Sequence, residues 1–118
     1  MTLLYLQLIR LKRGLLLIFD TITFDVGSIT QGEIIEKTFT FTNTGNEDLE
    51  IINVLPDCSC TSPQWTDGVI KPGESGIIIT KYDSHDDIGK IFKTITVLHN
   101  AGEGFSFLEI VGFVGPKL

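Results

Sequence analysis

Residues 34–42 read Ile-Ile-Glu-Lys-Thr-Phe-Thr-Phe-Thr, and this stretch decides the fold class. A period of two built from β-branched and aromatic residues predicts a β-strand with one buried face, and helical spacing does not fit it. Residues 43–46, Asn-Thr-Gly-Asn, then predict a turn, because Gly and Asn tolerate positive φ. The alternating positions are Ile35, Phe39 and Phe41 against Thr38, Thr40 and Thr42.

Outward from this stretch, the chain reads as short strands separated by Gly, Asn and Pro. Residues 71–74, Lys-Pro-Gly-Glu, predict a type II turn, and residues 100–104 predict a hairpin loop. We therefore predict an all-β, immunoglobulin-like antiparallel β-sandwich of about seven strands. The Cys…Trp…Cys spacing of antibody domains is absent. The strands predicted with clear bounds are Leu15–Phe19, Ile34–Thr42, Leu49–Leu55, Gly76–Tyr82, Ile91–His99 and Phe105–Val114.

Length and composition narrow the functional classes. The 118 residues suit one domain, and 42% hydrophobic with 20% charged residues is ordinary for a globular protein. A net charge of −6 is not the basic footprint that nucleic acids or anionic membrane surfaces select. Two cysteines are too few for a disulfide-rich scaffold, so an apolar core must supply the stability.

The first residues do not follow the pattern of the rest. Met1–Ile9 is apolar, residues 10–13 are Arg-Leu-Lys-Arg, and Leu15–Phe19 is apolar again. A secretory signal places its charges first, and a membrane-spanning helix needs about 20 uninterrupted apolar residues. Neither pattern is met, so residues 1–14 are predicted to be an extension or the remnant of a targeting segment. The sandwich domain is predicted to cover residues 15–118.

The last predicted strand carries apolar side chains on both faces. One face holds Leu108, Ile110, Gly112 and Val114, and the other holds Phe107, Val111 and Phe113 with Glu109. A sandwich strand with one wet face should alternate apolar and polar residues. Two interpretations remain open: a neighbouring loop or the N-terminal extension covers the second face, or this face contacts a partner or a second copy.

Three motifs together resemble a known family. Residues 24–29 read Phe-Asp-Val-Gly-Ser-Ile with Gln-Gly-Glu at 31–33, and residues 39–45 read Phe-Thr-Phe-Thr-Asn-Thr-Gly. Residues 58–61 read Cys-Ser-Cys-Thr, with Pro-Gly-Glu at 72–74. Their order and spacing resemble the bacterial domain of unknown function (DUF) 1573 family from Leu15 to Val114.

The resemblance implies an Ig-like sandwich related to Hydin-type and major sperm protein-like domains. Members of that family are usually secreted or lipid-anchored, and their biochemical role is not established. The expected location is therefore extracytoplasmic, at the periplasm or cell surface. Membrane association is expected only if an N-terminal anchor lies upstream. The family pattern leads us to expect a polar residue where this chain has Phe113.

Cys58 and Cys60 form the chemically distinctive motif. If Asp57–Thr61 is extended, the two side chains point to the same side, and a bridge across one residue is strained unless the chain turns there. Four interpretations remain open: two structural residues without chemistry, a redox or mixed-disulfide site, a soft-metal site, and an inter-chain link.

The remaining candidates are histidines and aromatic residues. Metal binding would need His85 or His99, but a polar loop and a hydrogen-bonded strand end are the simpler interpretations. Trp65 is expected to plug the end of the sandwich, and carbohydrate binding by Trp65 with Tyr82 is a third option. No Gly-x-Ser-x-Gly elbow or phosphate loop is present, so we predict no enzyme and no cofactor.

The sequence thus favours a non-catalytic Ig-like module of the bacterial cell envelope that acts through protein contacts. Its partner is expected to be another protein or a second copy, with neither nucleic acid nor a small-molecule cofactor. Edge-strand addition is the expected mode, because an open sandwich presents unpaired backbone groups. The contact candidates are Phe107, Val111, Phe113 and Trp65. The alternative is a thiol-based redox or metal-handling protein that uses Cys58 and Cys60.

Overall fold

The computed structural model describes residues 17–118, so the predicted extension at residues 1–14 and the start of the predicted first strand lie outside the described residues. The described part is all-β and contains no helix, hence none that could span a membrane. Its strands are β1 Leu17–Phe19, β2 Thr23–Thr30, β3 Ile34–Asn43, β4 Leu49–Pro56, β5 Thr61–Trp65, β6 Val69–Ile70, β7 Ser75–Asp83, β8 Gly89–His99 and β9 Phe105–Gly115.

These strands form two sheets that pack face to face. The four-stranded sheet has the order β1-β3-β7-β5, and the five-stranded sheet has the order β2-β9-β8-β4-β6. The predicted all-β sandwich is confirmed. The described residues hold nine strands rather than about seven, because β2, β5 and β6 lack the strong alternation by which the longer strands were predicted.

One strand pair departs from the predicted antiparallel arrangement. The chain crosses from one sheet to the other between Phe19 and Thr23, and β2 then pairs with β9 in parallel, from Thr23 beside Glu109 to Thr30 beside Gly115. All other strand pairs within residues 17–118 are antiparallel. A parallel neighbour requires a long connection, and no local turn signal reports it.

The core lies between the two sheets, where the alternation predicted it. Phe39 and Phe41 are fully buried, which confirms the inward face of β3. The buried apolar residues of β9 match the predicted face, and the predicted turn at residues 71–74 forms with Gly73 at φ +84°. The core comprises Phe39, Phe41, Leu49, Ile51, Val54, Ile70, Ile78, Tyr82, Ile91, Ile95, Val97, Ala101, Leu108, Ile110 and Val114.

Asn43 is a buried polar residue at the end of β3. Its Nδ2 donates to the backbone oxygens of Glu47 (2.7 Å) and Ile70 (2.9 Å), and its Oδ1 accepts from the N–H of Gly45 (3.0 Å). The predicted turn after β3 therefore forms through this side chain. It does not use positive φ, because neither Asn43 nor Gly45 adopts one. An Asn side chain can replace backbone partners in this way.

Candidate functional site

The outer face of the five-stranded sheet carries a row of exposed aromatic side chains. Phe92, Phe105, Phe107 and Phe113 are between 42% and 60% exposed. Phe92 pairs with the half-buried Val111 across β8 and β9, and the rings of Phe105 and Phe107 lie 5.3 Å apart. We call these five residues the apolar outer face. The pair of Thr94 and Glu109 separates Phe105 and Phe107 from the other three residues, and exposed apolar clusters of this kind mark interaction sites.

A groove of about 550 Å³ continues the apolar outer face toward β2. Phe92, Val111 and Phe113 line it, and Asp25 and Lys90 stand among its polar lining residues. A bulge in β2 between Asp25 and Ser28 lies beside the groove. This groove is shallow and open, so a partner would pack against the rings that line it.

The outer face of the four-stranded sheet is different in character. Glu36 pairs with Lys81 there, and Thr38 and Thr40 stand beside isoleucines of β7. This mixed composition is what a solvated sheet face shows. The sandwich is therefore asymmetric, with its aromatic residues concentrated on one side.

Three of the four residues predicted as contact candidates lie together. Phe107, Val111 and Phe113 all belong to the apolar outer face, but Trp65 lies at the end of β5 in the other sheet, half-buried against the core. The sequence analysis missed Phe92 and Phe105. The alternation along β8 indicates that Phe92 faces outward, because this residue alternates with the inward Ile91 and Ile95.

The option that Trp65 and Tyr82 together bind carbohydrate is wrong for Tyr82. Tyr82 is 1% exposed and belongs to the core, so its ring cannot stack on a sugar. It faces inward because it shares the parity of Ile78 on β7. Its hydroxyl donates to Asp87 Oδ2 at 2.5 Å, and Lys93 Nζ lies 3.2 Å from the same oxygen. Tyr82, Asp87 and Lys93 thus form a polar network between the two sheets.

This network shifts two pKa values in opposite directions. Burial, followed by the hydrogen bond to Asp87, raises the pKa of Tyr82 above its ordinary value. Burial opposes ionisation of Asp87, but hydrogen bonds from Tyr82 and Lys93 prevail and lower its pKa. The ionised Asp87 carboxylate and the neutral Tyr82 phenol thus join the two sheets through hydrogen bonds.

Three sheet edges among residues 17–118 resist the strand addition that was expected from the sequence. β6 has two residues, and β5 contains Pro63, which has no N–H to donate. β2 carries the bulge beside Gly27 at φ +71°. Short strands, prolines and bulges are the devices that blunt sheet edges. The apolar outer face is the better contact candidate.

Cys58 and Cys60 are joined by a disulfide bond within the chain, with Cα atoms 5.2 Å apart. Residues 57–60 form a turn between β4 and β5, not the extended segment considered above, and Thr61 N–H donates to Cys58 O at 3.3 Å. The turn brings the two sulfurs together. This pairing leaves neither sulfur free for an inter-chain link, since no free cysteine occurs in residues 17–118.

The disulfide closes a very short loop, with a sequence separation of 2. In the chain-entropy model such a loop contributes about 1–2 kcal/mol, whereas a loop of about 100 residues contributes roughly 5 kcal/mol. The bond therefore adds little to the stability of the fold.

The histidines do not complete a metal site around these sulfurs. Within residues 17–118 no group of three or more potential ligands occurs. His85 lies in an exposed loop beside Asp86, as its polar surroundings predicted. His99 is buried, and both of its ring nitrogens are engaged: Nδ1 accepts from Ala101 N–H at 3.0 Å, and Nε2 lies 2.8 Å from Ser106 Oγ.

The protonation state of His99 follows from these contacts. Because Nδ1 accepts a backbone N–H, the proton of the neutral ring lies on Nε2, which donates to Ser106. Burial disfavours the charged imidazolium and lowers the pKa of His99 below its ordinary value. His99 is a structural residue of the hairpin between β8 and β9.

We expect the free energy of unfolding to decrease as the pH falls below about 6.5, the ordinary pKa of His. As the pH falls, the unfolded chain binds a proton at His99 before the folded chain does. The contribution of His99 to the free energy of unfolding is complete above that pH and is lost progressively as the pH falls toward the lower pKa of the folded state. The loss is about 1.4 kcal/mol for each unit by which the folded-state and unfolded-state pKa values differ.

Urea unfolding between about pH 5 and 8 measures this dependence. His99→Gln should reduce the slope, and His85→Gln, which alters an exposed histidine, should retain it. Equal slopes in the wild type and His99→Gln would contradict the assignment.

Comparisons with known proteins agree with this fold. A family model described as "Protein of unknown function (DUF1573)" matches residues 17–114. A search of curated proteins returned no match. Among solved structures, a protein of unknown function from Porphyromonas gingivalis W83 is similar with a TM-score of 0.73 and 15% identity. That alignment covers 84% of this chain and 46% of the other, so the chain spans about half of that protein's length.

Two further structures resemble the chain. PapD-like domain 7 of human CEP192, an ASH / PapD-like domain, has a TM-score of 0.64 and 10% identity, over 86% of this chain and 87% of the other. The secreted serine protease VesC from Vibrio cholerae has a TM-score of 0.61 and 15% identity, over 92% of this chain and 24% of the other. At such identities the likeness shows the fold alone.

Proposed function

The chain belongs to the DUF1573 family of proteins of unknown function, and we propose that it is a non-catalytic, Ig-like module of the bacterial cell envelope that acts through protein contacts. The observation that carries this proposal is the apolar outer face. Four phenylalanines and a valine lie on this sheet face, whereas the exposed apolar residues on the strands of the other sheet are isoleucines, such as Ile18, Ile34 and Ile77.

The groove beside β2 suggests the kind of partner. A protein that packs an apolar side chain against Phe92 and Phe113 would bury those rings and meet Asp25 and Lys90 nearby. Aromatic residues at the centre of a patch with charged residues around it are typical of protein interfaces. A second copy of the chain, with its own aromatic row, would fit the same description.

The disulfide supports the extracytoplasmic location. Disulfide bonds persist in the periplasm and at cell surfaces, whereas reducing systems keep most cytosolic thiols free. The disulfide thus supports the envelope proposal and agrees with the expectation from the family resemblance.

We expect Phe113→Glu and Phe107→Glu to fold as the wild type does and to lose partner binding at least about tenfold. Each side chain is about half exposed, so a carboxylate at either position remains solvated in the free protein. In the complex, the same carboxylate would be buried without a hydrogen bond or an ion pair. A photo-crosslinking residue at position 92 in cells that produce the full chain should give discrete protein adducts. Phe113→Glu should remove them.

The matched control uses Ile34 on the opposite sheet. Ile34 is 57% exposed, and Ile34→Glu should leave the adducts unchanged. The same crosslinking residue placed at position 34 should give none of them. Sedimentation of the purified full chain distinguishes self-association from a different partner. A monomer at all concentrations, together with equal crosslinking at positions 34 and 92, would refute the proposal.

A further inference from the structure

The disulfide turn is anchored to both sheets by bonds that do not involve sulfur. Asp57 exchanges two hydrogen bonds with Thr94 of β8: its N–H donates to Thr94 O at 3.0 Å, and its Oδ2 accepts from Thr94 N–H at 3.2 Å. On the other side, Asp83 N–H of β7 donates to Cys60 O at 2.8 Å. These contacts hold the turn between β4 and β5 in place, so the Cys58–Cys60 bond can open while the sandwich remains folded.

The two sulfurs have different surroundings. Cys60 packs against the hydrophobic core and its Sγ lies 3.8 Å from Thr61 Oγ1. Cys58 is half-buried beside the exposed Ser59, and its Sγ accepts the backbone N–H of Cys60 at 3.0 Å. A hydrogen bond to sulfur stabilises the thiolate relative to the thiol. The turn therefore favours negative charge on Cys58.

We propose that Cys58 and Cys60 form a reversible thiol–disulfide exchange site in which Cys58 is the sulfur that exchanges with a thiol reductant. The bond closes a loop too short to contribute much to stability, and Cys58 is half-buried rather than fully enclosed, so a small thiol can reach it. This site lies in the turn after β4 and its chemistry is independent of the apolar outer face, so either proposal can fail without the other.

The exchange balances in two steps. A reductant thiolate attacks Cys58 Sγ, the bond between the two sulfurs breaks, and its electron pair leaves on Cys60 Sγ, which takes a proton. A second reductant thiolate then attacks the reductant sulfur of the mixed disulfide and releases Cys58 as a thiolate, which the N–H of Cys60 stabilises. Two reductant thiolates are oxidised to one disulfide, and the protein gains two electrons and one proton, which lies on Cys60. In the reverse direction, the Cys58 thiolate is the nucleophile.

The first test equilibrates the full chain with mixtures of reduced and oxidised glutathione. The sample is quenched with acid, alkylated and measured as intact mass. We expect partial reduction within the range of these mixtures, and a far-ultraviolet circular dichroism spectrum that is the same in both states. A disulfide that stays fully oxidised in reduced glutathione alone, or a fold lost on reduction, would overturn the proposal.

The second test compares Cys60→Ser with Cys58→Ser at neutral pH. Cys60→Ser keeps the backbone N–H beside the Cys58 sulfur, whereas Cys58→Ser leaves Cys60 against the core. Iodoacetamide should therefore alkylate Cys58 about ten times faster than Cys60. Equal or reversed rates contradict the assignment of Cys58. Unfolding of either variant also contradicts it, because the turn must hold without the bond.

Discussion

Gly112→Ala is expected to separate β2 from β9 and to lower the free energy of unfolding by about 3 kcal/mol. A Cβ at this position would overlap Val26 Cγ2 and lie 2.8 Å from the backbone oxygen of Gly27. A side chain could rotate away, but the carbonyl can move only with its strand. Gly112 also has φ +152°, which an alanine adopts at a cost.

Urea unfolding measures the loss, and hydrogen exchange of the β2 amides locates it. The control is Gly115→Ala on the same strand. Its Cβ would lie 3.7 Å from Ile29 O of β2, which is an ordinary van der Waals contact. We therefore expect the free energy of unfolding to change by no more than about 0.5 kcal/mol. Similar losses in the two variants, or unchanged exchange in β2, would show that the close approach at Gly112 is not the cause.

Asn43→Ala is expected to lower the free energy of unfolding by about 3 kcal/mol. The change removes three hydrogen bonds and leaves the backbone oxygen of Ile70 without its partner in a buried position. An unsatisfied buried polar group costs about 1–3 kcal/mol, and the freed space adds a cavity. Thermal and urea unfolding should agree on the loss, since a domain of this size unfolds in one step.

Asn100→Ala is the matched comparison. Asn100 also joins separate segments, because its Oδ1 accepts from Glu50 N–H and its Nδ2 donates to Asp48 O, but these bonds are solvent-exposed. Water can replace them, so the cost should stay below about 1 kcal/mol. If the two variants lose equal stability, burial is not what makes Asn43 important.

The strands that the sequence predicted are those whose alternation is complete within one segment. β3 and β9 were assigned with the correct inward residues, such as Phe39 and Leu108, because parity in a strand reports burial directly. β2 could not be paired in the same way. Its partner β9 lies 86 residues along the chain at Thr23 and Glu109, and nothing local specifies that neighbour or its direction.

For the candidate sites as well, the sequence was informative where the signal lay within one segment and uninformative where it depended on the fold. The doubly apolar β9 left open whether its second face is covered or available for contact, and among residues 17–118 Phe107 and Phe113 are about half exposed. The sequence left the state of Cys58 and Cys60 open, because the outcome depended on whether residues 57–61 turn. Trp65 was grouped with the contact candidates as an aromatic residue expected at the end of the sandwich, and neither property indicates which sheet its strand joins.

The parallel pairing of β2 with β9 has a mechanical consequence. β2 begins at Thr23 beside Glu109, and β9 ends at Gly115 beside Thr30. Tension between the start of β2 and the end of β9 therefore pulls along the two strands in opposite directions. It loads their paired positions in shear, so their hydrogen bonds resist together instead of opening one at a time.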